Sequence, residues 1–424
     1  MGILDKVGSV FAGSAGQTLA NYFIALDIGT EFVKVLICEI VDGKAVVIGS
    51  GRQRQRLGDM QGGAVTDIGG VIENCEKALE RAHQMAGVMP EQVVMGIAGE
   101  LVKGATTTVH YERAKPDTKI DLTELKNIVH KVQWKAFDQV RQQLAWETGH
   151  SEIDVKLVNA AIVDVRIDGY GVTNPVGFQG KDVTIGIFNA FAPLVHLTAL
   201  QAIPEELGLD LLSIAAEPYA VARCLGIEDS SEFSAIFIDI GGGTTDVAVV
   251  NNGGVVGTKM FALGGRTFTR RLAQSLHAPF DKAEETKLAY TSRLLDQPST
   301  KLVKDAVAAD ADVWLSGVQL TLSEFGNLDL LPSRILLCGG GSELPEISKV
   351  LGGAKWYKQL PFAKKPTVSF IRPEDIPNVK DQTRSLVGPQ DVTPMALANL
   401  ALDLAGPEEL LPSILRRAVK AMTT

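Results

Sequence analysis

Two short glycine-rich turns constrain this chain more than any other feature. The first, Asp27-Ile28-Gly29-Thr30, follows the apolar run Phe23-Ile24-Ala25-Leu26. The second, Asp239-Ile240-Gly241-Gly242-Gly243-Thr244-Thr245-Asp246, follows Ala235-Ile236-Phe237-Ile238. Each closes a buried-strand pattern on aspartate, turns on glycine and threonine, and re-enters an apolar run. Glycine admits positive φ and close backbone approach, so such a turn aims several N–H donors at one phosphate. Thr30, Thr244 and Thr245 add hydroxyls, and Lys34 adds a point charge. Asp27 and Asp239, facing each other from two hairpins, suit Mg2+, which keeps several waters and takes few carboxylates. One copy reads equally well as an ordinary strand turn. Two copies read as one phosphate-binding hairpin written twice, a nucleotide clamp.

Composition narrows the class. At 424 residues the chain exceeds one ordinary core, so two or more domains are expected. Its 41 Lys and Arg against 50 Asp and Glu leave a net charge of -9, which argues against nucleic acid as a partner. Cys38, Cys75, Cys224 and Cys338 are far apart in apolar surroundings and read as small buried hydrophobes in a reducing compartment. The six histidines lack the HExxH spacing of a zinc site. No signal-peptide pattern and no bilayer-length apolar run is present, so a cytoplasmic protein is expected, one still able to touch a membrane surface.

Periodicity predicts strands at about 22–28, 32–40 and 44–52, then a loop carrying Arg52, Arg54 and Arg56. A helix at about 68–87 and the strand Val93–Ile97 follow. A segment of different texture occupies about 98–188: a strand around Thr106–His110, a long helix opening at Asp121 with Glu124 three residues on, and strands at Val155–Ile167 and Lys181–Phe188. Next come a helix at about 194–207, the strand Leu211–Ile214 and a helix opened by Glu217-Pro218. After the second hairpin, Gly264-Gly265 opens a mostly helical stretch to about residue 329. The strand Arg334–Cys338 then leads into a third glycine turn, Gly339-Gly340-Gly341-Ser342, whose free N–H groups and flat surface suit a sugar or base.

Hairpin, connecting helix, second hairpin and glycine turn, in this order, resemble the actin, heat-shock chaperone and sugar kinase superfamily. Within it the chain looks like the bacterial cell-division FtsA family. The carrying residues are Phe23–Val35 (FIALDIGTEFVKV), Gly63–Ile68 (GAVTDI), Ala86–Gly99 (AGVMPEQVVMGIAG) and Asn174–Gly180 (NPVGFQG). Phe237–Ala248 (FIDIGGGTTDVA), Ala283–Lys287 (AEETK) and Leu336–Leu344 (LLCGGGSEL) complete them. NPVGFQG is the most specific piece, because actins and chaperones carry a different subdomain there.

The resemblance implies an α/β, actin-like (ribonuclease H-like) two-domain ATPase fold with an inserted strand-helix-strand-strand subdomain of SHS2 type. It divides the chain into a head and leash (1–20), subdomain IA (21–97 and 189–234) and the inserted IC (98–188). Subdomain IIA (235–265 and 334–392), IIB (266–333) and a last body helix with a C-terminal amphipathic helix (393–424) follow. It implies ATP and Mg2+ as cofactors, with Asp27 and Asp239 on the metal and Gly29, Thr30, Lys34, Gly241, Gly242, Gly243, Thr244 and Thr245 on the phosphates. Gly264, Gly265, Glu284 and Lys287 would face ribose and base, and Gly339, Gly340, Gly341 and Ser342 the adenosine. Glu217, expected to orient water near the γ-phosphate, and Asp239 are the catalytic candidates for what is at most a slow Mg-dependent ATPase. Glu217 reads equally as a helix-start carboxylate facing the macrodipole, and Glu284 and Lys287 as a surface ion pair.

Family members polymerise through the inserted module, hold the C-terminal tail of the tubulin-like FtsZ on the IIB subdomain, and reach the cytoplasmic face of the membrane through an amphipathic helix. Here Arg266, Arg270, Arg271 and Lys287 are candidate contacts for an acidic tail. The membrane helix is where this sequence departs. Glu408–Met422 has an apolar face and the basic Arg416, Arg417 and Lys420, but no aromatic residue and little linker before it. The head competes: Ile3, Leu4, Val7, Val10 and Phe11 fall on one helical stripe, followed by a leash at Gly13–Gln17. Two rival readings stay open, a PilM-like cytoplasmic scaffold of a type IV pilus machine and a sugar or acid kinase.

Overall fold

The computed structural model describes residues 9–11, 19–149, 154–226, 233–326, 328–353 and 355–404. An antiparallel meander opens the body: β1 (Tyr22–Ile28), β2 (Phe32–Val41) and β3 (Lys44–Arg54). α1 (Ile68–Ala86) and β4 (Gln92–Ile97) follow. The insert is β5 (Lys103–Glu112), α2 (Leu122–Thr148), β6 (Val155–Ile167) and β7 (Asp182–Pro193), a strand-helix-strand-strand order. α3 (Leu194–Glu206), β8 (Asp210–Ala216) and α4 (Glu217–Gly226) complete the first half. The second half begins with β9 (Ala235–Ile240), β10 (Thr245–Asn251) and β11 (Gly254–Phe261). Three helices follow, α5 (Gly265–Leu276), α6 (Phe280–Thr291) and α7 (Gln297–Ser323). β12 (Arg334–Cys338), α8 (Pro345–Leu351), β13 (Thr367–Phe370), β14 (Val379–Asp381) and α9 (Val392–Ala401) close the described chain.

Local chemistry sets these elements. α1 starts where the Asp67 side chain accepts from the Gly70 N–H and stops at Gly87, whose φ of 72° only glycine adopts cheaply. Its stripe Val71, Cys75, Ala78 and Ala82 is buried against β2 and β3. α2 is capped in the same way by Asp121, which accepts from the Glu124 N–H. In β1 six consecutive residues are buried, because the strand is covered on both faces.

The first sheet has the order β8-β4-β1-β2-β3-β14, with β4 parallel to both β1 and β8. The second runs β6-β7-β5-β11-β10-β9-β12-β13, so the insert and the second half share one continuous sheet. The junction is two residue pairs long, Gly104 with Thr258 and Ala105 with Gly257. A Cβ on Gly104 would stand 2.1 Å from Thr258 Oγ1, so only glycine lets the strands meet. Three cores result: one under the first sheet and α9, one between α2 and the insert's strands, and one among α5, α7, α8 and the second half's strands.

Two expectations change. Ser9–Phe11 is a strand on the outer edge of β6, pairing with Asn159–Ala161, so Val10 and Phe11 are not part of a head helix. The edge of β6 offers unpaired backbone groups, whereas a helix of about eleven residues is marginal by itself. The rest of the head, the leash and the helix expected at 408–422 lie outside the described residues. Arg52 and Arg54, expected in a loop, belong to β3, because pairing with β2 continues to Phe32 opposite Arg54.

Candidate functional site

Register places the two hairpins' side chains. In the first, Asp27 at the end of β1 stands opposite Lys34 on β2, and the two form an ion pair at 2.8 Å. Asp27 is 2% exposed. Burial works against the Lys34 ammonium, but Asp27 and, more weakly, Asp239 outweigh it and hold its pKa above the ordinary lysine value. The turn is closed by the Gly29 N–H donating to the Phe32 carbonyl at 3.1 Å.

In the second, Asp239 on β9 stands opposite Asp246 on β10. Asp239 Oδ2 accepts from the Thr393 hydroxyl at 2.6 Å, which ties α9 to the hairpin. Asp246 Oδ2 accepts from the Thr244 hydroxyl at 3.3 Å, while its Oδ1 is buried without a partner. Burial, reinforced by Asp239 and Asp27, pushes the Asp246 carboxyl well above the ordinary aspartate range. Burial also raises Asp239, with the Thr393 hydroxyl and Lys34 pulling the other way.

Glu217 opens α4 beneath both hairpins. A Cβ on Gly96 would lie 2.4 Å from Glu217 Oε1, so β4 carries glycine where this carboxyl passes. Burial, then Asp27, Asp246 and Asp239, push Glu217 well above the ordinary glutamate range. A cation joining the cluster would draw that pKa back down.

The third turn closes against the second. Gly339 has φ 78°, and a Cβ there would be 2.0 Å from Asp239 Oδ1. α5 begins directly under the second hairpin, with the Gly265 and Arg266 N–H groups donating to the Gly241 and Gly242 carbonyls. Glu284 and Lys287 form a buried ion pair at 2.8 Å, and Lys287 Nζ also donates to the Gly265 carbonyl and the Thr269 hydroxyl.

These elements bound one cleft between the halves. Asp27, Gly29, Thr30, Lys34, Glu217, Asp239, Gly241, Gly242 and Thr244 line it. Gly265, Glu284, Lys287 and Gly339–Gly341 line it too, with the apolar Phe268, Leu288 and Leu344. Four expected residues do not reach it. Thr245 turns its hydroxyl away, donating to the Leu263 carbonyl at 2.6 Å and accepting from Trp314 Nε1 at 2.9 Å. Ser342 donates to the Gly339 carbonyl at 2.6 Å. Gly264 packs on the Gly241 carbonyl and Gly243 on Thr30, so both shape the hairpin from behind.

Sequence reasoning missed an interdomain tie. Glu31 accepts from Arg266 of α5 at 2.6 Å and from Arg54 at 2.7 Å, and Arg54 reaches Asp281 of α6 at 3.1 Å. No local pattern announces it, since Glu31 and Arg266 are 235 positions apart. Of the acidic-tail candidates, Arg266 pairs with Glu31, Lys287 with Glu284 and Arg271 with Asp310, the last remaining half-exposed.

A magnesium nucleotide fits what is present. The cleft lining carries seven carboxylates against three cations, so bound polyphosphate needs a metal counter-charge. The orphaned Asp246 Oδ1 offers an acceptor for a metal-bound water. Among the described residues no three His, Cys, Asp or Glu side chains cluster tightly enough to hold a metal alone. A metal here would share its shell with phosphate and water.

The family model "Cell division protein FtsA" matches residues 236–386, and the "MreB/Mbl protein" model matches 175–293. The cell division protein FtsA of Pseudomonas aeruginosa is 26% identical over 342 residues, 76% of this chain and 78% of that protein. That of Neisseria meningitidis is 29% identical over 275 residues, 64% of this chain and 61% of that protein. That of Bacillus subtilis is 23% identical over 77% of this chain and 74% of its own length. Among solved structures, the PilM-PilN type IV pilus biogenesis complex aligns with TM-score 0.63 and 17% identity over 91% of this chain and 98% of that one, a likeness of fold. With an actin-like, MreB-related α/β body, an inserted subdomain and these relatives, the chain is similar to cell division protein FtsA over about three quarters of its length.

Proposed function

We propose that the chain binds Mg·ATP between its paired hairpins and acts as a filament-forming adaptor that couples FtsZ to the cytoplasmic face of the membrane. The observation that carries the nucleotide reading is the convergence of Asp27, Asp239, Asp246 and Glu217 on one cleft walled by three glycine turns. Asp27 and Asp239 would hold the metal, Lys34 would meet a phosphate oxygen, and Glu284, Lys287 and Gly339–Gly341 would take ribose and base. Glu217 would orient water near the γ-phosphate; with no second base or arginine finger assigned in the cleft, hydrolysis is slow and ATP serves chiefly to hold the halves together.

The adaptor reading rests on the similarity to cell division protein FtsA and on the insert, which has its own core and presents Trp134, Tyr170 and Phe178 to solvent. The FtsZ tail docks on the subdomain spanning about 266–333, and a terminal amphipathic segment meets lipid. Mg·ATP binding, co-sedimentation with anionic vesicles and pull-down by an FtsZ tail peptide test it. Asp239→Ala should abolish nucleotide binding and ATP-dependent sedimentation. Binding of a pilus-protein N-terminal peptide in place of the FtsZ tail would favour the PilM-like reading, and ATP consumption stimulated by a small metabolite would favour a kinase.

A further inference from the structure

Arg52 differs from the other cations of the cleft. Lys34 is paired with Asp27 and Lys287 with Glu284, both at 2.8 Å. Arg52 lines the same cleft and makes no ion pair within 4.0 Å among the described residues. Its guanidinium carbon lies instead 3.7 Å from the centroid of the Phe32 ring, a cation–π contact. The register of the meander produces this placement. Arg52 is the cross-strand partner of Lys34, so both side chains leave the sheet on the cleft face, and Phe32, two residues before Lys34, shares that face.

Asp391, Asp27, Glu31 and Glu343 all act on Arg52, but none is close enough to satisfy it. Burial lowers its pKa somewhat, yet a guanidinium stays charged at any working pH. The result is a planar, five-donor cation propped on an aromatic face beside the phosphate-facing lysine. That donor set matches a phosphate in bidentate geometry.

We propose that Arg52 is a polyphosphate-binding residue of the cleft, reaching a bound nucleotide from the β3 side, with Phe32 as the platform that orients it. This rests on the nucleotide reading above. Arg52 neutralises phosphate charge that Lys34 and Lys287, already paired, do not fully meet. No bond is made or broken at it.

The test uses the full chain and compares wild type, Arg52→Gln, Arg52→Lys, Phe32→Leu and Asp239→Ala for Mg·ATP affinity at several salt concentrations. Arg52→Gln should weaken Mg·ATP by about tenfold or more and flatten the salt dependence, since a charge-assisted hydrogen bond to phosphate is lost. Arg52→Lys should recover part of both effects, keeping the charge without the fork, and Phe32→Leu should weaken binding less than Arg52→Gln. Should Arg52→Gln fail to fold, Arg52→Lys and Phe32→Leu carry the test, and unchanged affinity in both overturns the proposal. If wild type binds, Asp239→Ala does not, and Arg52→Gln stays within about twofold of wild type with only a lower unfolding temperature, Arg52 merely braces the hairpin. If wild type itself shows no Mg·ATP binding, or Asp239→Ala binds as wild type does, the nucleotide reading fails first.

Discussion

The two hairpins share a backbone plan and differ in the residue opposite the aspartate. Asp27 faces Lys34, and that pair is neutral within the first hairpin. Asp239 faces Asp246, and the second stores uncompensated carboxylates whose pKa values burial and proximity raise. A symmetric backbone therefore makes an asymmetric site: one half arrives satisfied, the other waits for a cation. The same contrast explains why glycine spacing alone could not separate the roles of the two copies.

Neutralising the residue opposite each aspartate should act with opposite sign. Lys34→Met leaves Asp27 buried and unpaired and should cost about 3 kcal/mol in denaturant unfolding. Asp246→Asn removes a buried like charge and should raise the unfolding midpoint of the nucleotide-free chain at mildly alkaline pH. Equal destabilisation by both would erase the asymmetry.

Glu31→Ala is next in size. It strands Arg266, which is 5% exposed, and removes the joint between Arg54 and α5. A loss of about 2 kcal/mol is expected, with a more open cleft seen as faster hydrogen exchange at Thr30 and Gly242. An unchanged exchange pattern would mean that the tie does not hold the halves.

The pH response follows from the raised carboxyls. Folded Glu217, Asp239 and Asp246 hold protons that the unfolded chain releases in the ordinary carboxylate range. The folded state thus binds more protons, and its stability should fall as pH rises from that range through the raised values. Mg·ATP should suppress the trend, because the cation stabilises the ionised forms. A melting temperature indifferent to pH in the nucleotide-free chain would count against this charge arrangement.

The smallest effect separates neighbouring threonines. Thr245→Val should cost about 1 kcal/mol of stability, by breaking the link between Leu263 and Trp314, and leave ATP affinity alone. Thr244→Val should lower ATP affinity, since Thr244 lines the cleft, besides removing its hydrogen bond to Asp246.

Much of this was legible in sequence where chemistry is local. The Asp121 cap, the buried run of β1 and the glycine turns each announce themselves within a few residues. What could not be read depends on distant partners or on direction. Thr245 looks like a phosphate ligand until its rotamer is known to face Trp314. Glu31 looks like an ordinary loop carboxylate until Arg266 arrives. The seam between β5 and β11 rests on Gly104 and Gly257, whose value lies in the side chain they lack. The head's apolar stripe suggested a helix, but Ser9–Phe11 had a strand edge to join.

The most direct measurement is a calorimetric titration of ATP with and without Mg2+ into wild type and Asp239→Asn, with folding of both checked by circular dichroism. The asymmetric clamp predicts Mg-dependent binding in wild type and loss of the metal-dependent part in Asp239→Asn. Equal affinity with and without Mg2+, or an Asp239→Asn protein that keeps the full metal effect, would contradict it.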